Sequence, residues 1–189
     1  MSAPFRVLGI DPGSRVSGFG VVEERGSRLQ CLAHGVLRLP AELPLELRLA
    51  ELFQGLCQAL DRWEPEAVAV EGVFAFRNAR SALVLGHARG VALLAAARGG
   101  RPVYEYAPAV VKRSVGASGA ASKDAVARQI RAFLGLQRPV GADASDALAV
   151  ALCHLHRTRV EALLVERPRR RRPPDAWPGL SPAVYGAPR

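Results

Sequence analysis

Four acids in the 189-residue sequence have the type and setting for metal-assisted chemistry: Asp11, Glu71, Asp143 and Asp146. Asp11 ends the apolar run Phe5-Arg-Val-Leu-Gly-Ile-Asp11, immediately before Pro12-Gly13. Val7, Gly9 and Asp11 share one face of that strand, and Leu8 and Ile10 share the other. Gly9 is expected to leave open space under the carboxylate. A carboxylate held there is costly to bury unless something pairs with it, and taken alone it reads equally well as a turn aspartate before Pro-Gly. Glu71 ends the run Glu66-Ala-Val-Ala-Val-Glu71, where Ala67, Ala69 and Glu71 repeat small residues followed by an acid on one face. Asp143 and Asp146 stand three apart in Ala142-Asp-Ala-Ser-Asp-Ala-Leu-Ala149, on one helical face near the helix start. Two early aspartates also complement a helix dipole without any further role. If the four meet, like charges cannot sit together without cations. Hard divalent ions are the natural partners, and Mg²⁺ keeps waters and takes further oxygens from phosphate. Two such ions about 4 Å apart serve in-line phosphodiester displacement.

The elements that must bring these acids together follow from periodicity. Residues 5–11, 16–24 and 28–39 read as three strands in an antiparallel meander with short turns. From 43 to 63 the apolar positions recur at three and four residues, which predicts a helix. Residues 66–71 are apolar on both faces, so that strand is central and parallel to the first. A loop at 73–78 precedes a long helix at 79–97, whose Gly86 and Gly90 would let another backbone approach closely. A fifth strand covers 102–106, and Pro108 opens a short helical segment. Ser122 is the expected N-cap of a helix running to about 134, and a final helix covers 142–165. The order βββαβαβααα predicts an α/β fold with a five-stranded mixed sheet flanked by helices. Asp11 and Glu71 would then lie side by side at the C-terminal ends of parallel strands, where open α/β sheets bind ligands. Residues 1–166 read as one domain and 167–189 as an Arg/Pro-rich, disordered basic tail.

Composition narrows the partner. A formal net charge of +9 points to a polyanion. Nucleic acid is favoured over acidic membrane, because no basic amphipathic helix with bulky apolar anchors stands out. There is no run of about 18 apolar residues and no signal peptide at the N-terminus. Cys31, Cys57 and Cys153 are scattered and lack a Cys-x-x-Cys pair, which fits reduced thiols in the cytoplasm. Cys153, His154 and His156 cluster on the last helix, but only Cys153 and His156 share a face, so no zinc site is expected. Of the 26 basic residues only Lys112 and Lys123 are lysine, and these two positions can need a compact, rotatable ammonium that a planar guanidinium cannot replace. Chance survival at tolerant surface positions explains them equally well from composition alone.

Gly9-Ile-Asp-Pro-Gly-Ser-Arg-Val-Ser-Gly-Phe-Gly20, Glu71-Gly-Val-Phe74, Ser81-Ala-Leu-Val-Leu-Gly-His-Ala-Arg-Gly90 and Ala142-Asp-Ala-Ser-Asp-Ala-Leu-Ala149 together resemble the RuvC family of bacterial Holliday-junction resolvases. The resemblance runs in order through roughly residues 5–160. It implies an RNase H-like fold, a homodimer, symmetric nicking of two opposed strands of a four-way DNA junction with Mg²⁺, and work alongside the RuvA–RuvB branch-migration machinery. It also implies that Asp11, Glu71, Asp143 and Asp146 are the catalytic metal ligands, although some members have histidine where this chain has Asp143. Lys112 and Lys123 match segments whose basic residues matter for activity in the family, which implies phosphate binding or charge stabilisation. By the same resemblance Phe74 stacks on an unpaired base at the junction centre; as a residue type it is equally a core phenylalanine. Arg77 would insert into the junction or bind phosphate, and the helix from Ala79 would make the dimer contact, its two-fold symmetry matching a symmetric substrate. Gly72 departs from the family, which usually has glutamine there, and the 167–189 tail lies outside the shared pattern.

Three other readings carry different tests. An RNase H-like nuclease for RNA–DNA hybrids would cut hybrid duplex but not four-way junctions. A non-cleaving junction-binding protein would bind without cutting in Mg²⁺. An actin-like or sugar-kinase ATPase shares the strand followed by Asp-x-Gly-Ser, but those folds need two such domains and this chain has one copy.

Overall fold

The computed structural model describes residues 3–13, 15–72, 79–116 and 122–165. Three strands come first, β1 (Phe5–Asp11), β2 (Val16–Arg25) and β3 (Arg28–Arg38), followed by α1 (Leu45–Trp63) and β4 (Ala67–Glu71). Then come α2 (Ala79–Arg98), β5 (Val103–Tyr106), α3 (Pro108–Ser114), α4 (Lys123–Leu134) and α5 (Ala142–Val165). The bounds differ from the sequence expectation by a residue or two; α1, for instance, starts after Pro44, whose extended ψ of 153° keeps it outside the helix. Ser122 caps α4 as its position implies, its side chain accepting from the Ala125 N–H at 3.3 Å.

The five strands form one sheet in the order β3-β2-β1-β4-β5. β1 pairs antiparallel with β2 and parallel with β4, and β4 pairs parallel with β5. This is the mixed sheet the element order predicts. Alternation along β1 divides the core. Leu8 and Ile10 face α1 and α2 with Val21, Val68, Val70, Leu52 and Leu56. Val7 faces the other way with Val22, Ala67 and Ala69, against α5 and the apolar sides of α3 and α4. From Ala147 to Leu155 every residue but the polar His154 is apolar, and all are buried. A helix apolar all round must be covered on all sides, and α5 is covered by the sheet beneath and by α3 and α4 above.

Glu23 on β2 is 2% exposed and accepts hydrogen bonds from Arg6 Nε at 2.8 Å and Arg25 Nε at 2.6 Å. Arg6 also donates to the Trp63 carbonyl at 3.1 Å, so its side chain ties the β1–β2 pair to the end of α1. The Arg6 bond holds the Glu23 carboxyl below its ordinary value despite burial, with help from Arg25. A depressed acid contributes stability above its unfolded pKa and loses it as pH falls through the folded value. Glu23→Gln is therefore expected to cost about 1–3 kcal/mol near neutrality, because both arginines lose their counter-charge. Urea melts at pH 7 and pH 3 check this, since the difference should shrink in acid.

Residues 167–189, Phe74 and Arg77 lie outside the described residues, as does the side chain of Lys123. Among the described residues no helix is long and apolar enough to cross a membrane.

Candidate active site

Asp11 and Glu71 are the last residues of neighbouring parallel strands. The β1–β4 register places Ile10 beside Val70, which makes Asp11 and Glu71 the next pair along. Asp143 and Asp146 stand at the start of α5, whose N-terminus reaches this same edge. All four acids are only partly buried. Their convergence is visible in the Asp11 carboxyl, which is pushed up to about 8. Burial is the largest cause, followed by the charge of Glu71 and a side-chain hydrogen bond with it, then the charges of Asp146 and Asp143. Asp11 is thus within hydrogen-bonding reach of Glu71 and feels the charges of the two helix acids.

What seats α5 so close corrects one expectation. Gly9 does not leave open space under Asp11: a Cβ built on it would lie 2.1 Å from the Ala147 carbonyl oxygen and 2.8 Å from the Ala151 nitrogen. On β2 a Cβ at Gly18 would lie 2.0 Å from the Asp143 carbonyl oxygen, and one at Gly20 would lie 2.6 Å from Leu148 Cδ2. In register, Gly9 stands opposite Gly20 and Gly18 stands opposite Asp11. The sheet therefore presents a bare patch on which the backbone of α5 rests, and this close approach carries Asp143 to Asp11. The signal in the sequence was Gly18-Phe-Gly20, two glycines of the same parity in one strand, which marks a face where another backbone comes near.

Lys112, on α3, lies at the same edge. It lines a recess of about 260 Å³ with Glu71 and Asp146, over a floor of Pro108, Val111, Val126 and Ala149. β5 brings α3 there, since its last residue Tyr106 pairs with Glu71. Tyr106 also accepts the Gly72 N–H on its carbonyl at 2.9 Å, so Gly72 serves the sheet edge through its backbone. Cys153, His154 and His156 have other occupations. Cys153 and His154 are buried, the His154 ring bonds the Tyr106 hydroxyl through Nδ1 at 2.7 Å, and His156 Nδ1 bonds the Ser114 carbonyl at 2.9 Å.

The donor set at the edge is anionic and all oxygen, which fits a hard divalent cation. Among the described residues no three His, Cys, Asp or Glu side chains close into a metal-ligand cage. Oxygen donors that do not enclose an ion on their own suit one that keeps water and takes further oxygens from substrate phosphate. Such an ion would offset both the burial and the like-charge repulsion that raise Asp11.

Comparison with known proteins identifies the family. The family model described as crossover junction endodeoxyribonuclease RuvC matches residues 7–154. A RuvC of Myxococcus xanthus is 65% identical over 156 residues, 82% of this chain and 82% of that protein. One from Halorhodospira halophila is 49% identical over 151 residues, 80% of this chain and 90% of its own. The solved structure of T. thermophilus RuvC in complex with Holliday junction substrate matches with a TM-score of 0.76 at 35% identity, covering 82% of this chain and 96% of that one.

Proposed function

Because the chain belongs to the RuvC family of crossover junction endodeoxyribonucleases, we propose that Asp11, Glu71, Asp143 and Asp146 are the centre with which it nicks paired strands of a Holliday junction. The protein is a nuclease of DNA recombination and repair. The observation that supports the site assignment is the convergence of the four acids on one sheet edge, where burial first and then the charges of Glu71, Asp146 and Asp143 push the Asp11 carboxyl up to about 8. Mg²⁺ is the cation these oxygens suit; bound there, it would supply activation of water and stabilisation of the leaving oxygen. The four side chains would hold and orient that charge. The partly buried setting of Asp11 limits competing solvent, and Lys112 offers an ammonium to phosphate at the rim of the recess. The test is a mobile four-way junction incubated in Mg²⁺. Paired, religatable nicks are expected, and cleavage restricted to RNA–DNA hybrid would overturn the reading.

Lys112 and Lys123 are proposed to carry charge toward substrate phosphate. Lys112→Arg and Lys123→Arg keep the charge but not the compact ammonium. Each is expected to slow cleavage roughly 10-fold while junction affinity holds, as single-turnover rates and gel-shift titrations would report. Wild-type rates in both would return the lysines to idle surface.

A homodimer through α2 is the assembly these features favour. Leu83 and Leu94 are 66% and 60% exposed, and between them Gly86 and Gly90 have nothing within 4 Å of a built Cβ among the described residues. Spaced by three and four residues, these positions form an uncovered stripe along one helix side. The double variant Leu83→Glu, Leu94→Glu is expected to run at monomer mass in sedimentation and to lose paired nicking. The resemblance adds RuvA–RuvB as working partners, and co-elution of the purified proteins on a junction is the check.

A further inference from the structure

The chain leaves β1 at Asp11 with an accounting problem in its backbone. Pro12 has no N–H, so it can neither extend the ladder nor tether itself. The first backbone donor after Asp11 is Gly13. Its N–H donates to Ser17 Oγ at 3.1 Å, and the Ser17 hydroxyl in turn donates to the Asp11 carbonyl at 3.2 Å. One hydroxyl, as donor and acceptor, closes the turn from both sides. The turn itself is tight, since a Cβ at Gly13 would lie 1.8 Å from the Val16 carbonyl oxygen. Ser17 is 1% exposed, so water cannot replace the hydroxyl at small cost. Gly18, the next residue, faces the opposite side of β2 and abuts the Asp143 carbonyl. Two consecutive residues of β2 therefore bear on two of the acids, Ser17 through what it bonds and Gly18 through the side chain it lacks.

We propose that Ser17 is a positioning residue for the cation site: its hydroxyl locks the Asp11–Pro12–Gly13 turn and so fixes the direction of the Asp11 carboxylate. The inference rests on the reading of Asp11 as a metal ligand. Residues that orient a ligand from behind typically alter metal affinity 10- to 100-fold when removed. Ser17→Ala deletes both bonds, whereas Ser17→Thr keeps the hydroxyl.

The experiment measures Mn²⁺ binding to the full-length protein without DNA by water-proton relaxation, together with the Mg²⁺ dependence of junction cleavage, junction affinity in EDTA, and exchange of the Gly13 amide. Ser17→Ala is expected to weaken Mn²⁺ about 10-fold or more and to raise the half-saturating Mg²⁺ by a similar factor. Gly13 exchange should speed up while junction affinity stays within about two-fold. Ser17→Thr should behave as wild type in every readout. Wild-type Mn²⁺ affinity in Ser17→Ala, or an equal loss in Ser17→Thr, overturns the proposal, as does a lowered Tm with metal affinity untouched. Should Ser17→Ala fail to fold, Ser17→Cys decides: its poorer hydrogen bonding should weaken Mn²⁺, and wild-type affinity there overturns the proposal. Asp11→Asn run alongside separates the two levels. If it binds Mn²⁺ like wild type, the ligand assignment itself fails; if it loses Mn²⁺ while Ser17→Ala does not, only the role of Ser17 fails.

Discussion

Asp11→Asn is expected to slow junction cleavage by roughly 10³-fold or more while junction affinity in EDTA holds or improves. Asparagine keeps the size of the side chain and one oxygen but removes the charge that would hold the cation and repel phosphate. A second consequence follows in the metal-free protein. Burial and the charges of Glu71, Asp146 and Asp143 push the Asp11 carboxyl up to about 8. A raised acid contributes stability in full below its unfolded pKa, near 4, and loses that contribution as pH rises through the folded value. The wild-type apo protein should therefore weaken between pH 4 and 8, and the asparagine variant should not share that loss. At pH 8.5 in EDTA the variant is expected to melt higher, on the order of 4 °C, with the gap closing as pH falls toward 4. Millimolar Mg²⁺ should stabilise wild type by mass action and leave the variant nearly unmoved. Differential scanning calorimetry across pH, with and without Mg²⁺, reads all three. Loss of junction binding together with cleavage would contradict the assigned role.

The acids were legible because each interrupts a pattern. Asp11 and Glu71 stop apolar strands, and Asp143 and Asp146 stand just ahead of the apolar stretch from Ala147 to Cys153. Sheet order was legible too, since three strands with short turns must form a meander, and a strand apolar on both faces must lie inside. The means by which α5 reaches the edge was not. Gly9, Gly18 and Gly20 sit on two strands, and only the register that sets Gly9 against Gly20 makes them one surface. Read singly, Gly9 suggested room for a carboxylate, and the space belongs instead to the carbonyl of Ala147. Lys112 shows the same limit. Its kinship with the acids depends on β5 ending beside Glu71 and on α3 turning back over the recess, a path that local residue preference does not encode. Periodicity reports which face of an element is buried; it does not report how near the next element can come.

That distance gives the second large effect. Gly18→Ala is expected to cut cleavage about 100-fold, the scale on which a shift of about 1 Å acts on a reacting geometry. The Cβ would lie 2.0 Å from the Asp143 carbonyl oxygen and 2.6 Å from its carbon. These are backbone atoms, so no side-chain rotation relieves the overlap, and the first turn of α5 must lift away from β2. Asp143 moves with it, away from the edge it shares with Asp11. Because the displaced segment is a helix end, the stability loss should be moderate, about 1–3 kcal/mol. Gly9→Ala sets the comparison. Its Cβ meets Ala147 and Ala151 in the body of α5, where the whole buried helix must shift, so its penalty should fall more on stability. Gly20→Ala meets Leu148 first at the side chain, which can move in part, and should be the mildest of the three. Urea melts and single-turnover cleavage on all three variants give the ranking. If Gly18→Ala kept wild-type cleavage and a wild-type Mg²⁺ requirement, the approach of α5 to β2 would not be what carries Asp143 to the site.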